Sequence, residues 1–306
     1  MKVLICGLGS IASQHIKALK LIEEAVEIYA LRSDPNAATV DGVINIFKLD
    51  DLEFDFAIIS NPTQAHYEYI NLLTDKGIHM MIEKPPVSSL ENIAVLLKKI
   101  ENIKIKTYVA CNLRFHPCLV FLKNYLQNGN SKVINEVNIY CGSYLPDWRP
   151  NKDFRKIYSA IPELGGGVHL DLFHELDYTH WLFGKPLKTS SVLKNVSSLD
   201  IKAVDYANYL LEYKNFSANI ILNYYRRDAK RTIEIVFQNQ TILIDLIKNT
   251  VKSSGGEILF EAANYTVFQT YLDQMRYFVD YVKTNQKQMN TFADSIDVLK
   301  TCLHNE

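Results

Sequence analysis

A histidine one helical turn from an aspartate can move a proton, and residues 165–178 offer such a pair. The run reads Gly165-Gly166-Gly167-Val168-His169-Leu170-Asp171-Leu172-Phe173-His174-Glu175-Leu176-Asp177-Tyr178. On a helix, spacings of three and seven put Asp171, His174 and Tyr178 on one face. An imidazole transfers protons near neutral pH, and a carboxylate beside it can orient it or raise its pKa. The three glycines let backbone approach a ligand or another strand. The same Asp/His pair would suit a metal, but no third ligand accompanies it, so none is expected. Without the rest of the chain, a capped helix with His174 satisfied in the core is the plainer reading. Lys84, within Glu83-Lys84-Pro85-Pro86, follows the short apolar run His79–Ile82. A lysine just beyond a sheet strand can hydrogen-bond a hydroxyl or polarise a carbonyl, although surface charge is its ordinary use.

A third group binds rather than reacts. Gly7-Leu8-Gly9-Ser10-Ile11-Ala12 lies between a buried strand and an amphipathic helix. Gly7 suits a turn with positive φ, Gly9 lets a pyrophosphate approach backbone, and small Ala12 lets helix and strand pack closely. Free N–H groups at the helix start then face the anion. The second strand ends in Ala30-Leu31-Arg32-Ser33-Asp34-Pro35. A guanidinium beside a hydroxyl suits a 2′-phosphate, so NADP is favoured over NAD. Asp34 would be the ribose acid of an NAD site if the strand ended later.

The elements that must position these residues change character midway. Lys2–Cys6, Glu27–Leu31, Phe56–Ser60, His79–Ile82 and Lys106–Cys111 read as strands. Helical periodicity over Ala12–Ile22, Gln64–Lys76 and Leu90–Ile100 separates them. The alternation predicts a doubly wound parallel sheet covered on both faces. After a helix at about 117–128, strands come in succession: Val133–Tyr144, Lys188–Ser198, Asp205–Tyr213, Phe216–Tyr225, Arg231–Phe237 and Thr241–Leu246. Helices are expected at Gly167–Phe183, Thr270–Thr284 and Thr291–His304. This half reads as a largely antiparallel sheet with segregated helices, an α+β domain.

Composition excludes several function classes. The chain has 306 residues. That length is enough for two domains of ordinary size. Lys plus Arg total 33 against 34 Asp plus Glu, so nothing pulls the whole chain toward nucleic acid or anionic lipid. No apolar run approaches the roughly 18 residues of a membrane helix. The start, MKVLICGLGS, is too short and too glycine-broken for a signal peptide. Cys6, Cys111, Cys118, Cys141 and Cys302 form no CxxC pair. They are expected to be reduced thiols of a cytoplasmic protein.

Together, GLGSIA in the first turn, EKP after a later strand and GGG…D…H opening a helix resemble the Gfo/Idh/MocA family over nearly the whole chain. The resemblance implies a Rossmann domain over 1–115 and a C-terminal domain over 116–306 built on an open, mainly antiparallel sheet. It implies an enzyme that uses NAD or NADP to oxidise or reduce a hydroxyl carbon of a sugar, nucleotide sugar or cyclitol. A homodimer or homotetramer formed through the C-terminal sheet is also implied. Some members are NAD-dependent glycosidases, and a non-enzymatic NAD(P)-binding regulatory protein is a further alternative. Carried over by residue, Lys84 contacts the reacting oxygen, His174 gives or takes the proton, and Asp171 is the acid beside it. Ser60, Asn61, Pro62, Thr63 and His66 lie along the cofactor, and Glu83 lies near the nicotinamide. Asn112, Arg114 and Phe115 match a motif at the domain junction, while Trp148 and Arg149 border the site. Gly7, Gly9, Ser10, Ile11, Ala12, Arg32, Ser33, Lys84, Asn112, Trp148 and Arg149 complete the expected cofactor contacts. Arg114, Arg155, Tyr158 and Asp177 are expected at the substrate, with Arg226 a further candidate. The chain departs from the family in spacing: only Leu172 and Phe173 separate Asp171 from His174, which leaves Asp177 as an alternative carboxylate. The glycine-to-tyrosine wording is similar to members of cell-surface sugar pathways, which implies an amino or nonulosonic sugar.

Overall fold

The computed structural model describes residues 1–49, 52–128, 133–284, 286 and 288–303. The chain begins with β1 (Lys2–Cys6), whose last four residues are buried, followed by α1 (Ser10–Ile22) and β2 (Glu27–Leu31). Next come β3 (Ile44–Ile46), β4 (Phe56–Ile59), a short 3-10 turn at Thr63–Ala65, α2 (His66–Asp75) and β5 (Met80–Glu83). Then follow α3 (Ile93–Ile103) and β6 (Thr107–Ala110). Helix α3 starts three residues later than its apolar periodicity suggests, because Asn92 takes a left-handed φ of 55° and cannot extend it. The six strands form one parallel sheet in the order β3-β2-β1-β4-β5-β6. The winding reverses between β1 and β4, and ligands of open α/β sheets bind beyond strand ends at such a reversal. Sequence reading does not anticipate β3, whose short and partly exposed run carries no readable pattern.

The second sheet follows α4 (Pro117–Gln127) and begins with β7 (Ile134–Tyr144). Short helices α5 (Val168–Asp171) and α6 (Phe173–Phe183) come next. The strands β8 (Lys188–Lys194), β9 (Tyr206–Glu212), β10 (Ser217–Asn223) and β11 (Tyr225–Phe237) follow. The last strands are β12 (Thr241–Asp245), β13 (Thr250–Ser253) and β14 (Ile258–Glu261). Their order is β14-β13-β12-β11-β7-β10-β9-β8, antiparallel throughout except where β10 runs parallel to β7. Strand β11 starts at Tyr225 rather than at Arg231, because Tyr225 pairs with Tyr144 ahead of a register shift that ends at Lys230. Helices α7 (Val267–Lys283) and α8 (Phe292–Leu303) complete the described chain, and His304 lies outside the described residues. Among the described residues, no helix is long and apolar enough to cross a membrane.

One face of the eight-stranded sheet is core: Val137, Ile139, Tyr209, Ile220, Leu222, Ile233 and Ile235 are buried. The other face carries the alternate residues, among them Leu210 and Leu243, which are 43% and 44% exposed. Two compact units result. The first joins Met1–Asn112 with Val267–Ile296, so α7 belongs with the parallel sheet, and Phe278 stands edge-on to Phe56 of β4 at 5.0 Å. The second comprises Leu113–Thr266 and the chain from Asp297 on. The sequence reading assigns all of 116–306 to one domain. All five cysteines are buried, and none is joined in a disulfide.

Candidate active site

In the first unit the glycine turn is built against the end of β4. Gly7 has φ +100°, and a Cβ there would come within 2.5 Å of the Asn61 backbone, so only glycine fits. The Ser60 N–H donates to the Cys6 carbonyl at 2.8 Å, and its hydroxyl donates to the Gly7 carbonyl at 2.9 Å. Gly9 behaves differently: a Cβ there would meet nothing within 4 Å. It stands at the N-cap of α1 with no side-chain cap and no acidic residue in the first turn. Ser10 is exposed, Ile11 half-buried, and Ala12 fully buried against the sheet. The start of α1 therefore has open space at Gly9, no side-chain cap and no acidic residue in its first turn, which suits a phosphate. The Asn61 side-chain oxygen is buried without a hydrogen-bond partner beside this turn. These residues fit a dinucleotide.

Strand β2 ends at Leu31, which leaves Arg32 and Ser33 as the first residues beyond it. The Arg32 guanidinium donates a long bond, 3.3 Å, to the Ala38 carbonyl, and Ser33 is exposed. Asp34 accepts from the Asn36 N–H at 2.8 Å. Its carboxylate thus caps its own turn.

Three expected cofactor contacts have other partners. His66 is buried: its Nδ1 faces the Pro85 and Pro86 carbonyls at 3.1 and 3.2 Å, and its Nε2 faces the Asn61 carbonyl at 3.0 Å. Glu83 takes His15 Nε2 on one oxygen at 2.7 Å and the Lys84 N–H on the other at 3.2 Å. The Asn112 amide donates to Thr270 of α7 at 2.6 Å. Pro62 is exposed and Thr63 half-buried where the chain leaves β4. Lys84 itself is half-buried, immediately past β5.

In the second unit the glycines serve packing. A Cβ on Gly166 would lie 2.2 Å from the Tyr158 carbonyl oxygen, and one on Gly167, at φ +137°, would strike the His169 ring. The close approach is thus to the turn at Tyr158–Ile161 and to a histidine ring, rather than to the ligand or strand expected of these glycines. The helix beyond is broken at Leu172 (φ −94°, ψ 35°), so Asp171 ends α5 while His174 sits in the first turn of α6. The single face expected for Asp171, His174 and Tyr178 does not persist, and Tyr178 is fully buried. Asp171 accepts hydrogen bonds from Tyr158, at 2.5 Å, and from Tyr224. Burial and the Asp171 charge push both phenols well above their usual pKa, so both remain O–H donors. Trp148 packs edge-on to Tyr224 at 5.3 Å and donates to Ser143 at 2.8 Å, and Arg149 lies 6.0 Å from the Tyr158 ring centre. Tyr158 is 41% exposed, and His174 is half-buried.

Arg114 and Asp177, expected at the substrate, are instead bound to each other. Two parallel bonds of 2.9 and 2.7 Å join the guanidinium fork to the carboxylate, and both side chains are buried. A second fork escapes sequence reading: Arg231 on β11 grips Glu175 at 2.7 and 3.0 Å. Arg155 is exposed and stacks on Phe154 at 4.5 Å, and Arg226 lies 5.0 Å over Tyr140 while it pairs with Asp228. Among the described residues, no three His, Cys, Asp or Glu side chains converge as metal ligands.

Comparison with known proteins agrees with this fold. The family model described as "Oxidoreductase family, NAD-binding Rossmann fold" matches residues 1–110, and the "GFO/IDH/MocA C-terminal domain" matches residues 122–243. The chain is 22% identical to a myo-inositol 2-dehydrogenase of Thermotoga maritima over 94% of its own length and 89% of that protein's. It is 24% identical to a scyllo-inositol 2-dehydrogenase (NADP(+)) of Bacillus subtilis, over 61% of this chain and 50% of that one. The fold matches the WlbA dehydrogenase of Bordetella pertussis, solved with NADH and UDP-GlcNAcA. The TM-score there is 0.81 at 16% identity, over 99% of this chain and 94% of that one.

Proposed function

The chain belongs to the Gfo/Idh/MocA oxidoreductase family and carries its NAD-binding Rossmann domain; on that premise we propose that it moves hydride to or from a hydroxyl-bearing carbon of a cyclitol, sugar or nucleotide sugar. The observation that carries the reading is the open, uncapped and acid-free start of α1 above Gly9, with the orphaned Asn61 oxygen beside it. A bound nicotinamide dinucleotide would supply or accept the hydride. The inositol dehydrogenase likeness and the nucleotide-sugar ligand of the structural relative support the substrate class.

We assign the protein's own work as follows. Gly7, Gly9 and the first turn of α1 hold the pyrophosphate, flanked by Ser60, Asn61 and Thr63. Lys84 hydrogen-bonds the reacting oxygen as charge develops on it, and His174 gives or takes its proton. Asp171, held by two phenols, is the acid that accompanies His174. Arg149 and Tyr158 border the substrate. Arg114 and Asp177 set the path of α6 rather than touching the substrate. NADP is the favoured cofactor: Arg32 is loosely held beside Ser33, whereas Asp34 is engaged in its own turn. The exposed face of the eight-stranded sheet, with Val192, Leu210 and Leu243 in reach of solvent, supports assembly into a homodimer or homotetramer. Five buried cysteines outside any disulfide suit a reducing cytoplasm.

The test is a calorimetric titration with NADPH and with NADH, followed by turnover of Lys84→Ala and His174→Ala. Each substitution is expected to lower kcat by about 10² or more with cofactor affinity nearly intact. Unchanged turnover in both variants, or binding of neither nucleotide, would refute the assignment.

A further inference from the structure

Lys84 stands between two buried histidines that hold the backbone on either side of it. Upstream, Glu83 accepts the Lys84 N–H on one carboxylate oxygen at 3.2 Å. Its other oxygen meets His15 Nε2 at 2.7 Å. His15 lies in the second turn of α1, fully buried, with its ring edge against Tyr271 of α7 at 5.9 Å. Downstream, the His66 ring lies between the Pro85 and Pro86 carbonyls on one side and the Asn61 carbonyl on the other. His15 therefore rides on the helix that starts at the glycine turn. His66 opens the helix that follows Asn61-Pro62-Thr63. Both segments are ones assigned above to the dinucleotide.

We propose that His15 and His66 are positioning residues for Lys84: together they bracket its backbone and tie it to the two turns that receive the cofactor. The inference rests on the reading of Lys84 as the group that holds the reacting oxygen. A lysine ammonium sits on a flexible four-carbon stem, so its placement depends on how well its backbone is fixed. Small misplacements of a reacting group are costly to rate. Packing alone does not explain the two rings. A leucine would fill either space without burying polar atoms, whereas an imidazole there needs hydrogen-bond partners to offset its desolvation. His15 even buries its Nδ1 without a partner, a cost that a purely space-filling side chain would avoid. The partners these rings do have are chain neighbours of Lys84 or Asn61, and they are directional. His15 meets a carboxylate that in turn holds the Lys84 amide. His66 meets only carbonyl acceptors, so whichever ring nitrogen bears the proton donates to one wall of the bracket.

The test compares His15→Leu, His15→Gln and His66→Leu with wild type and with Lys84→Ala. Gln places an amide N–H where it can still donate to Glu83; Leu fills the space and donates nothing. Acetic anhydride labelling, read by peptide mass spectrometry, gives the rate at Lys84 relative to exposed Lys156. NADPH and NADH affinities and turnover on myo-inositol and UDP-GlcNAc are measured in parallel. His15→Leu and His66→Leu are expected to shift the Lys84 labelling ratio by about threefold or more. They should lower kcat by about tenfold or more, with cofactor affinity and KM changed by less than about threefold. His15→Gln should restore both readouts toward wild type. A changed labelling ratio that His15→Gln does not restore, or an unchanged ratio in both leucine variants, overturns the bracket. If Lys84→Ala turns over like wild type, the catalytic reading of Lys84 fails by itself. The labelling ratio needs no substrate and still decides whether the histidines fix that lysine.

Discussion

Asp171 accepts a phenol hydrogen bond on each carboxylate oxygen, and the two phenols differ in exposure: Tyr224 is fully buried, while Tyr158 is 41% exposed. Tyr158 is thus nearer to water than Tyr224. A hydrogen bond to a charged group contributes about 1.5–3 kcal/mol, and a buried acceptor left short of a donor bears the full loss. Tyr224→Phe is therefore expected to lower the melting temperature by on the order of 5 °C, and Tyr158→Phe by clearly less. Equal losses in thermal scans of the two variants would show that Asp171 does not depend on burial of its Tyr224 partner. Two of these three residues were named from the sequence: Asp171 by its spacing to His174, and Tyr158 as an expected substrate residue. Tyr224 was not, because it is one tyrosine of a distant strand and only the pairing of strands brings it back. His15 and Glu175 escaped for the same reason: each finds its partner, Glu83 or Arg231, far along the chain.

Helix α6 carries His174, and two arginine forks hold it. Glu175 meets Arg231 from β11, and Asp177 meets Arg114 from the turn after β6. Residues two apart on a helix point in nearly opposite directions, so the forks grip the helix from two sides. Removing one partner of such a pair leaves a buried charge alone. Arg231→Met is expected to cost about 3–5 kcal/mol because Glu175 has no exposure to water. Arg231→Lys should fall between, since an ammonium keeps the charge and loses the fork. Urea denaturation midpoints of the two variants, with Arg231→Met paired to Glu175→Leu, check this. The double variant should recover stability relative to Arg231→Met, and failure to recover would mean that the arginine matters for packing rather than for charge. The existence of a helix here was readable, but its interruption was not. Val168, Leu172 and Leu176 recur every four residues straight through the break, so the apolar pattern shows one helix where the backbone makes two.

At the scale of the molecule, burial of neutral histidines makes stability depend on pH. Strands alternating with helices, and then strands in succession, were enough to read a parallel sheet followed by a mainly antiparallel one. The return of α7 to the first unit was not readable, because an amphipathic stripe tells a helix that it must pack and not against what. The same limit applies to histidines: their number is plain in the sequence and their burial is not. His116, His169 and His180 all lie in the second unit, and in each burial lowers the pKa from 6.5 to about 4. In the folded protein these rings stay neutral down to about pH 4, while in the unfolded chain they take up protons from about pH 6.5 downward. The unfolded state thus binds more protons between those values, and stability present above pH 6.5 is lost as the pH falls toward 4. With three such groups the slope near pH 5 reaches about 4 kcal/mol per pH unit. Asp297, whose pKa is lowered, against the cost of burial, by Lys300 and Lys185, loses its contribution only below its ordinary value of 3.8. Unfolding midpoints measured from pH 7.5 to 4.5 are expected to fall steeply below pH 6.5, with the second unit failing first. His66 and His79 of the first unit shift in the same direction but are fewer. A profile flat to pH 4.5 would mean that the three rings are already charged or already wet in the folded state, and replacing each by Gln would then leave acid stability unchanged. If they are buried and neutral, His116→Gln should flatten the acid limb by about one proton's slope, because an amide has no charge to gain.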